Sequence, residues 1–313
     1  EQARIEIDLA RRTLPNDPEL EQIAGRIARD QGRWHDAAQA FAKATVLQPR
    51  VSILFSDLAD AYRSMRNYAG ADRAIARVQA LEPKDIYYNF WRASLPLEAR
   101  GDLEPLRAAL AAAPPPDEED RGMILRTHLI LDLCAHDPDG VSRLLAEWKR
   151  PVIYFIGISY PKGWFEGLAA RMRGDTAAAH ASFTAARQTM EPLVQAQPGS
   201  GPLLGVLAMI DAGLGRKSEA MTAARRACEL MPPKKSAMGA TFVNCQLAVV
   251  YTWTDQAERA IGLLDEMANQ AAGETMLFQP TYGDLKLNPV WDPLRKEPKF
   301  NALLERLAPS TSH

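Results

Sequence analysis

Cysteine is scarce in this chain. Three stand among 313 residues, Cys134, Cys228 and Cys245, an odd number with no CxxC spacing. A disulfide framework needs an even set and a zinc site needs paired ligands, so buried free thiols are expected. Long apolar runs are missing too. The longest, from Val152 to Ile158, is bounded by Pro151 and Pro161. It falls far short of the roughly 20 residues that span a bilayer, so this region is expected not to insert into a membrane. The opening residues carry no signal-peptide pattern. Neither sign of charge dominates: 37 basic and 39 acidic side chains leave a net charge of −2. That balance gives no electrostatic ground for nucleic-acid binding.

Catalytic and metal-binding patterns are absent as well. His35, His128, His136 and His180 show neither HxxxH nor HExxH spacing. Cys134 and His136 stand two apart near an expected helix end, which suits a structural role better than a metal site. The run Gly213-Leu214-Gly215-Arg216-Lys217-Ser218 lacks the GxxxxGK[ST] order of a phosphate loop and follows a helix, not a strand. The acidic run Asp117-Glu118-Glu119-Asp120 reads as a solvated helix start. No constellation of titratable groups emerges, so no catalytic residue, metal or cofactor is expected and the chain is read as a non-enzyme.

Alanine recurs throughout, and β-branched runs are few, which favours closely packed helices. A repeat lies beneath that composition. Ala3, Ile7, Ala10 and Pro15 are followed 34 residues later by Ala37, Phe41, Ala44 and Pro49, and again by Ala71, Ile75, Val78 and Pro83. The first three of each set fall at i, i+4 and i+7, one face of an α-helix. The proline follows the helix, where its ring cannot continue it. Gly25 and Ala59 each precede the alanine by 12 residues, a second small contact on a preceding helix. Gln31-Gly32-Arg33 and Arg66-Asn67-Tyr68 are expected turns between the paired helices.

Residues 84 to 150 depart from the pattern. Pro96 and Pro105 fall where helices should run, and Ala113-Pro114-Pro115-Pro116 interrupts the array. Two divergent hairpins are expected, at about 86–112 and 118–148, the second turning at Asp137-Pro138-Asp139-Gly140. The small–large pattern then returns in Gly167, Ala179, Phe183 and Ala186, in Ala208, Ala220, Ala224 and Ala227, and in Ala248, Tyr251, Ala260, Leu264 and Met267. Gly174-Asp175 and Gly215-Arg216 mark their turns. After these come Leu285 to Arg295 and Pro298, Phe300, Leu303 and Leu304, read as a loop and a short amphipathic helix that cap the last hairpin. The expected division is 1–113 for N-terminal repeats, 117–150 for the divergent hairpin, 151–271 for C-terminal repeats and 272–313 for the cap, in one continuous solenoid.

This 34-residue helix–turn–helix unit resembles the tetratricopeptide repeat, best over residues 1–83. The resemblance implies an all-α fold: a right-handed superhelical solenoid of hairpins with a C-terminal capping segment. Three stretches carry a narrower likeness: Asp30-Gln31-Gly32-Arg33-Trp34, Tyr160 to Ala169, and the tail from Leu287 to Phe300. They look like the C-terminal repeat region of bacterial signalling proteins in which a serine/threonine kinase, a nucleotide cyclase or a winged-helix DNA-binding domain precedes the repeats. This sequence holds none of those effector motifs. Glu1 to Leu14 reads as the second half of a hairpin, which suggests a fragment of a longer chain. The resemblance fits either the cytoplasm or the outer side of a membrane-anchored signalling protein.

What the resemblance implies about function is a scaffold or sensor module that binds a protein or peptide segment in a concave groove lined by the first helices. The residues expected there are Gln22, Arg26 and Arg29, then Asp60 and Arg63, then Tyr87 and Phe90, then Trp164 and Arg171. Arginine beside aromatics suits an acidic or aromatic peptide. The lysine–asparagine clamp with which some tetratricopeptide domains hold a chaperone tail is not matched, since Gln22, Arg26, Asp57, Tyr87 and Trp91 occupy its positions. An alternative is a small-molecule sensor regulating a linked effector, with its ligand near the irregular stretch from Val152 to Trp164.

Overall fold

The computed structural model describes residues 2–114, 118–155, 157–269, 278 and 280–309. A lone helix α1 (Gln2–Thr13) opens the described chain, and helical hairpins follow it. These pair α2 (Pro18–Asp30) with α3 (Trp34–Leu47), α4 (Ser52–Ser64) with α5 (Tyr68–Leu81), and α6 (Ile86–Arg100) with α7 (Glu104–Ala111). Next come α8 (Glu118–Cys134) with α9 (Pro138–Glu147), and α10 (Lys162–Met172) with α11 (Thr176–Ala196). The last two are α12 (Gly201–Gly213) with α13 (Lys217–Leu230) and α14 (Ala237–Trp253) with α15 (Ala257–Asn269). The chain ends in α16 (Tyr282–Leu287), a 3-10 helix (Pro289–Lys296) and α17 (Pro298–Leu307).

One turn geometry is used in every hairpin. Gly32, Arg66, Gly101, His136, Gly174, Gly215 and Asp255 all take left-handed φ values, from 52° at His136 to 74° at Gly215. In all but the Gly101 turn the next residue donates its N–H to the carbonyl five residues back, as Arg33 does to Ala28 at 2.8 Å and Asp137 to Asp132 at 2.9 Å. This bond satisfies a carbonyl that the helix end leaves open. The turns recur every 34 or 35 residues as far as His136 and at wider steps afterwards. Residues 84–150, expected to diverge, therefore keep step. Helix α6 continues through Pro96, and Pro105 sits in the first turn of α7, where its missing N–H has no partner to lose.

Within a hairpin, small residues let the helices close on a large one. A Cβ added to Gly25 would lie 2.4 Å from the Phe41 ring, and one on Gly167 would lie 2.3 Å from Phe183. Ala37, Phe41, Ala44, Ala59, Ala71 and Ile75 are fully buried. Each large side chain so buried contributes roughly 1.5–3 kcal/mol. Polar contacts follow the same register between repeats. Lys43 Nζ donates to the Pro15 carbonyl at 2.9 Å, and Arg77, 34 residues later, donates to the Pro49 carbonyl at 3.0 Å.

Two features depart from the sequence reading. The irregular stretch after Pro151 is a β-hairpin, Val152–Phe155 (β1) paired antiparallel with Ile158–Pro161 (β2), with Ile153 opposite Tyr160 and Phe155 opposite Ile158. Alternation drives it: Ile153, Phe155, Ile158 and Tyr160 point into the core, while Tyr154 is exposed. The C-terminal segment also does more than cover the last hairpin. Helix α17 packs on α15, but α16 packs on α6 and α8, and the 3-10 helix packs on α14 and α10. A Cβ on Gly283 would fall 1.6 Å from the Leu97 carbonyl oxygen, so α16 rests directly on the backbone of α6.

Substituting Ala37→Trp or Ala220→Trp would force an indole into a contact with no free space. We expect each variant to lose about 1–3 kcal/mol or more of stability by overpacking. Thermal melting followed by circular dichroism checks this, and a melting curve identical to that of the parent would refute the register.

Candidate functional site

The first helices of the hairpins form one inner face of the stack. The C-terminal segment lies on that face, against α6, α8, α10 and α14, and α14 also touches α2. Arg66, at the turn between α4 and α5, donates to the carbonyls of Met267 at 3.2 Å and Pro280 at 3.3 Å. Early and late repeats are thus joined across the molecule. Most of the expected groove is filled by the chain's own tail.

The predicted groove residues fall into three groups. Gln22, Arg26 and Arg29 are brought together with Asp60, but around a residue assigned no groove role, Asp57. Asp57 Oδ2 accepts from Gln22 Nε2 at 2.8 Å and from Arg26 Nη2 at 3.2 Å, while its Oδ1 lies 3.4 Å from Arg29 Nη1. Arg29 also reaches Asp60 at 3.5 Å. Both aspartates are buried. This end of the face, expected to be basic, is therefore a neutralised network, with Arg26 at its exposed edge. Tyr87 is partly exposed beside Tyr88 and Trp91, with ring centroids at 5.2 and 5.9 Å.

The second group is buried and offers no surface to a partner. Arg63 donates through Nε and Nη2 to both carboxylate oxygens of Glu98, at 2.7–3.0 Å, and the two residues are 7% and 8% exposed. Phe90 sits in a core cluster with Leu97, Leu106, Leu110 and Leu131. Trp164 is fully buried and stacks on Trp253 with centroids 5.2 Å apart. Met209, Cys245 and Thr252, also read as groove-facing, are buried too. The physical reason is common to these residues: the inner face carries the hydrophobic and ionic contacts that hold neighbouring repeats and the tail.

The third group is Arg171 alone. Its guanidinium lies over the Trp253 ring, 4.1 Å from the centroid. It borders a cleft of about 310 Å³ lined by Leu168, Arg171, Met172, Pro289, Asp292, Pro293 and Lys296.

Sequence reasoning missed the polar seam under the tail. Thr281, Asp284 and Asn288 share a small cavity of about 50 Å³ with Arg63, Glu98 and Cys134. The carboxyl group of Asp284 is turned inward, accepting from Trp291 Nε1 at 2.8 Å and Asn288 Nδ2 at 2.9 Å. Burial, reinforced by the facing Glu98 carboxylate, outweighs those bonds and pushes its pKa up to about 7. Burial likewise holds the Cys134 thiol well above its usual range, so it stays protonated. Elsewhere, Glu21 is almost fully buried. Burial alone would raise its pKa, but Arg11 at 2.6 Å and Lys43 at 2.7 Å hold it below the ordinary carboxylate range.

Chemistry beyond binding finds no support in this geometry. Among the described residues no group of three or more His, Cys, Asp or Glu could hold a metal ion. No described helix is long and apolar enough to cross a membrane. Beside the β-hairpin, Phe155, Tyr160, Trp164, Phe165 and Phe278 pack ring on ring with centroids 5.8–6.3 Å apart, filling the place suggested for a small ligand.

By its turns and helix pairs the fold is an α-solenoid of tetratricopeptide-like hairpins. Comparison with known proteins adds the following. No family model matches the sequence, and no curated protein matches it. Similar solved structures include a tetratricopeptide repeat protein from Parabacteroides merdae, 14% identical, with a TM-score of 0.44 over 81% of this chain and 93% of that one. The MamA protein, also 14% identical, aligns with a TM-score of 0.28 over 68% of this chain and 91% of its own. The tetratricopeptide domain of P58(IPK), again 14% identical, aligns with a TM-score of 0.27 over 93% and 97%.

The Asp284 environment sets a pH dependence. The folded chain keeps the Asp284 proton up to about pH 7, whereas an unfolded aspartate releases it near pH 4. Stability from this group is therefore full below about pH 4 and declines as pH rises towards 7. Asp284→Asn removes the titration, though it leaves one of the two donors from Trp291 and Asn288 without an acceptor. We expect melting temperatures of the parent to fall more steeply than those of the variant between pH 4.5 and 7.5, a window set by those two values. Parallel profiles would show that Asp284 ionises normally.

Proposed function

We propose that this chain is a non-catalytic interaction module of a bacterial signalling or regulatory protein, and that it holds a protein or peptide segment on the part of its inner face left open by the tail. The observation that carries this reading is how the inner face is divided. Between α6 and α14 it is filled by the C-terminal segment, whereas Gln22, Arg26 and Tyr87 on α2 and α6 keep partial exposure. The exposed part combines an arginine fork with a tyrosine that stacks on neighbouring rings. Such pairs suit anchoring of an acidic or aromatic side chain, since arginine and tyrosine carry much of the binding energy at protein interfaces. A scaffold is also what a stack of hairpins without a reactive cluster is suited to be. Linkage to a kinase, cyclase or DNA-binding domain belongs to the same proposal and rests on the likeness of the three stretches described above.

The double variant Arg26→Ala, Tyr87→Ala tests this. Both side chains are exposed enough to be removed without opening a core cavity. With the purified chain as bait, partners retained by the parent should be lost by the variant, with affinity down by tenfold or more, about 1.4 kcal/mol. Far-ultraviolet circular dichroism should be unchanged. Retention of the same proteins with equal affinity would eliminate the open inner face as the binding surface.

A further inference from the structure

The cleft beside Arg171 is electrostatically unfinished. Arg171 rises from the last turn of α10 and lies flat over the Trp253 ring, which itself stacks on Trp164. Trp253 is fixed in turn, because its Nε1 donates to the Val290 carbonyl at 2.9 Å. The cation thus sits on a rigid, buried aromatic platform.

Across the cleft stands Asp292, the natural acceptor for Arg171, but it is already engaged. Arg295 Nε donates to Asp292 Oδ1 at 2.7 Å, and His136 Nε2 lies 3.6 Å from the same oxygen. Arg295 is itself pinned, its other nitrogens donating to the carbonyls of Leu285 at 3.4 Å and Asn288 at 3.3 Å. Arg171 makes no hydrogen bond or ion pair with any described residue, and burial lowers its pKa. The cleft walls are Leu168, Met172, Pro289 and Pro293, with Lys296 at the edge. Two cations, Arg171 and Lys296, therefore line the cleft against one carboxylate held by other groups.

We propose that this cleft is a carboxylate-binding site, in which Arg171 takes an acidic side chain of a partner peptide by a two-pronged hydrogen bond and Lys296 adds a second, weaker attraction. Guanidinium presents paired N–H donors in a fixed plane that matches a carboxylate, and stacking on Trp253 holds that plane before the ligand arrives. Partial desolvation strengthens the attraction, and the apolar walls accept the methylene stem of a glutamate in preference to a small inorganic anion. The site lies between α10 and the 3-10 helix, so it exists because the tail is seated. The inference rests on reading the chain as a partner-binding scaffold, but its test needs no partner.

The probe is N-acetyl-tetraglutamate, with N-acetyl-tetraglutamine as the neutral control, followed by nuclear magnetic resonance of the Arg171 Nε–H signal in the full chain. Tetraglutamate should shift that signal saturably, added salt should weaken the binding, and tetraglutamine should leave the signal in place. Arg171→Gln should reduce tetraglutamate affinity at least tenfold by calorimetry. Arg171→Lys keeps a cation over Trp253 but lacks the fork, and it should give an intermediate loss. Should Arg171→Gln not fold, Lys296→Gln serves in its place, with an affinity loss of a few-fold and a shallower salt dependence. Absence of a saturable shift, equal binding of tetraglutamine, or unchanged affinity in Arg171→Gln or Lys296→Gln would each overturn the proposal. Loss of binding by the Arg26, Tyr87 variant in the capture experiment bears on the scaffold reading alone, so the two can fail separately.

Discussion

Where Gly25 meets Phe41, the ring occupies the space that any side chain at position 25 would need. The same contact recurs between Gly167 and Phe183, and Ala59 faces the register equivalent of Phe41, Ile75. Close approach of two helices around one large side chain is the constraint on which the stack depends. It fixes the spacing within each hairpin, and each hairpin then offers the next a surface of fixed shape. The left-handed turns follow from it, since two helices that lie so close can be joined only by a sharp reversal with its carbonyls satisfied. Position 136 shows how strong the demand is: a histidine adopts the backbone conformation that glycine supplies at four other turns before Asp255.

The inner face is where packing and function compete. In an open solenoid the first helices would present their side chains to solvent. Here α16 and the 3-10 helix are laid across four of them, and Leu285, Val290, Trp291 and Leu294 are buried to 1% exposure or less. The seam carries ionic groups in place of a uniformly apolar contact. Arg63 and Glu98 satisfy one another in a geometry with few alternatives, and Asp284 beside them is kept neutral below pH 7. A buried ion pair contributes little net stability but strongly penalises a misplaced partner. Its place at the seam is consistent with setting where the tail seats more than how tightly.

Helix identity, pairing and the turns at Gly32, Gly174 and Gly215 were legible because each depends on residues close in sequence with a fixed period. The turns at Gly101 and His136 were not, because the proline-rich composition around them hides a backbone geometry that sequence spacing does not encode. The β-hairpin was visible as an apolar, β-branched run but was discounted in a helical context, although Ile153, Phe155, Ile158 and Tyr160 alternate as a half-buried strand pair should. The groove residues fared least well. Gln22, Arg26 and Arg29 were placed on one face correctly, yet Asp57 and Glu98, which decide whether those cations and Arg63 are available, lie 28 to 35 residues further along. Pairing across a full repeat is a matter of side-chain reach, and the periodicity of either helix alone does not contain it.

The tail therefore has two opposed effects on binding. It removes Trp164, Phe90 and Arg63 from any surface a partner could meet, by burying them or the elements they join. At the same time Pro289, Asp292, Pro293 and Lys296 supply one wall of the cleft whose other wall is Leu168, Arg171 and Met172. Asp292 is drawn to Arg295 and His136 by bonds internal to that side of the cleft, and this leaves Arg171 a stacked cation with its donors unused. Had Asp292 turned to Arg171 instead, the tail would have gained one more ion pair and the cleft would hold no net attraction for an anion. The arrangement forgoes that contact, worth roughly 1 kcal/mol at a partly exposed site, and leaves the charge at a junction between two halves of the chain. Recognition at such a junction depends on both walls at once, so a ligand that bridges them would favour the seated tail over any opened form by the difference in its affinity for the two.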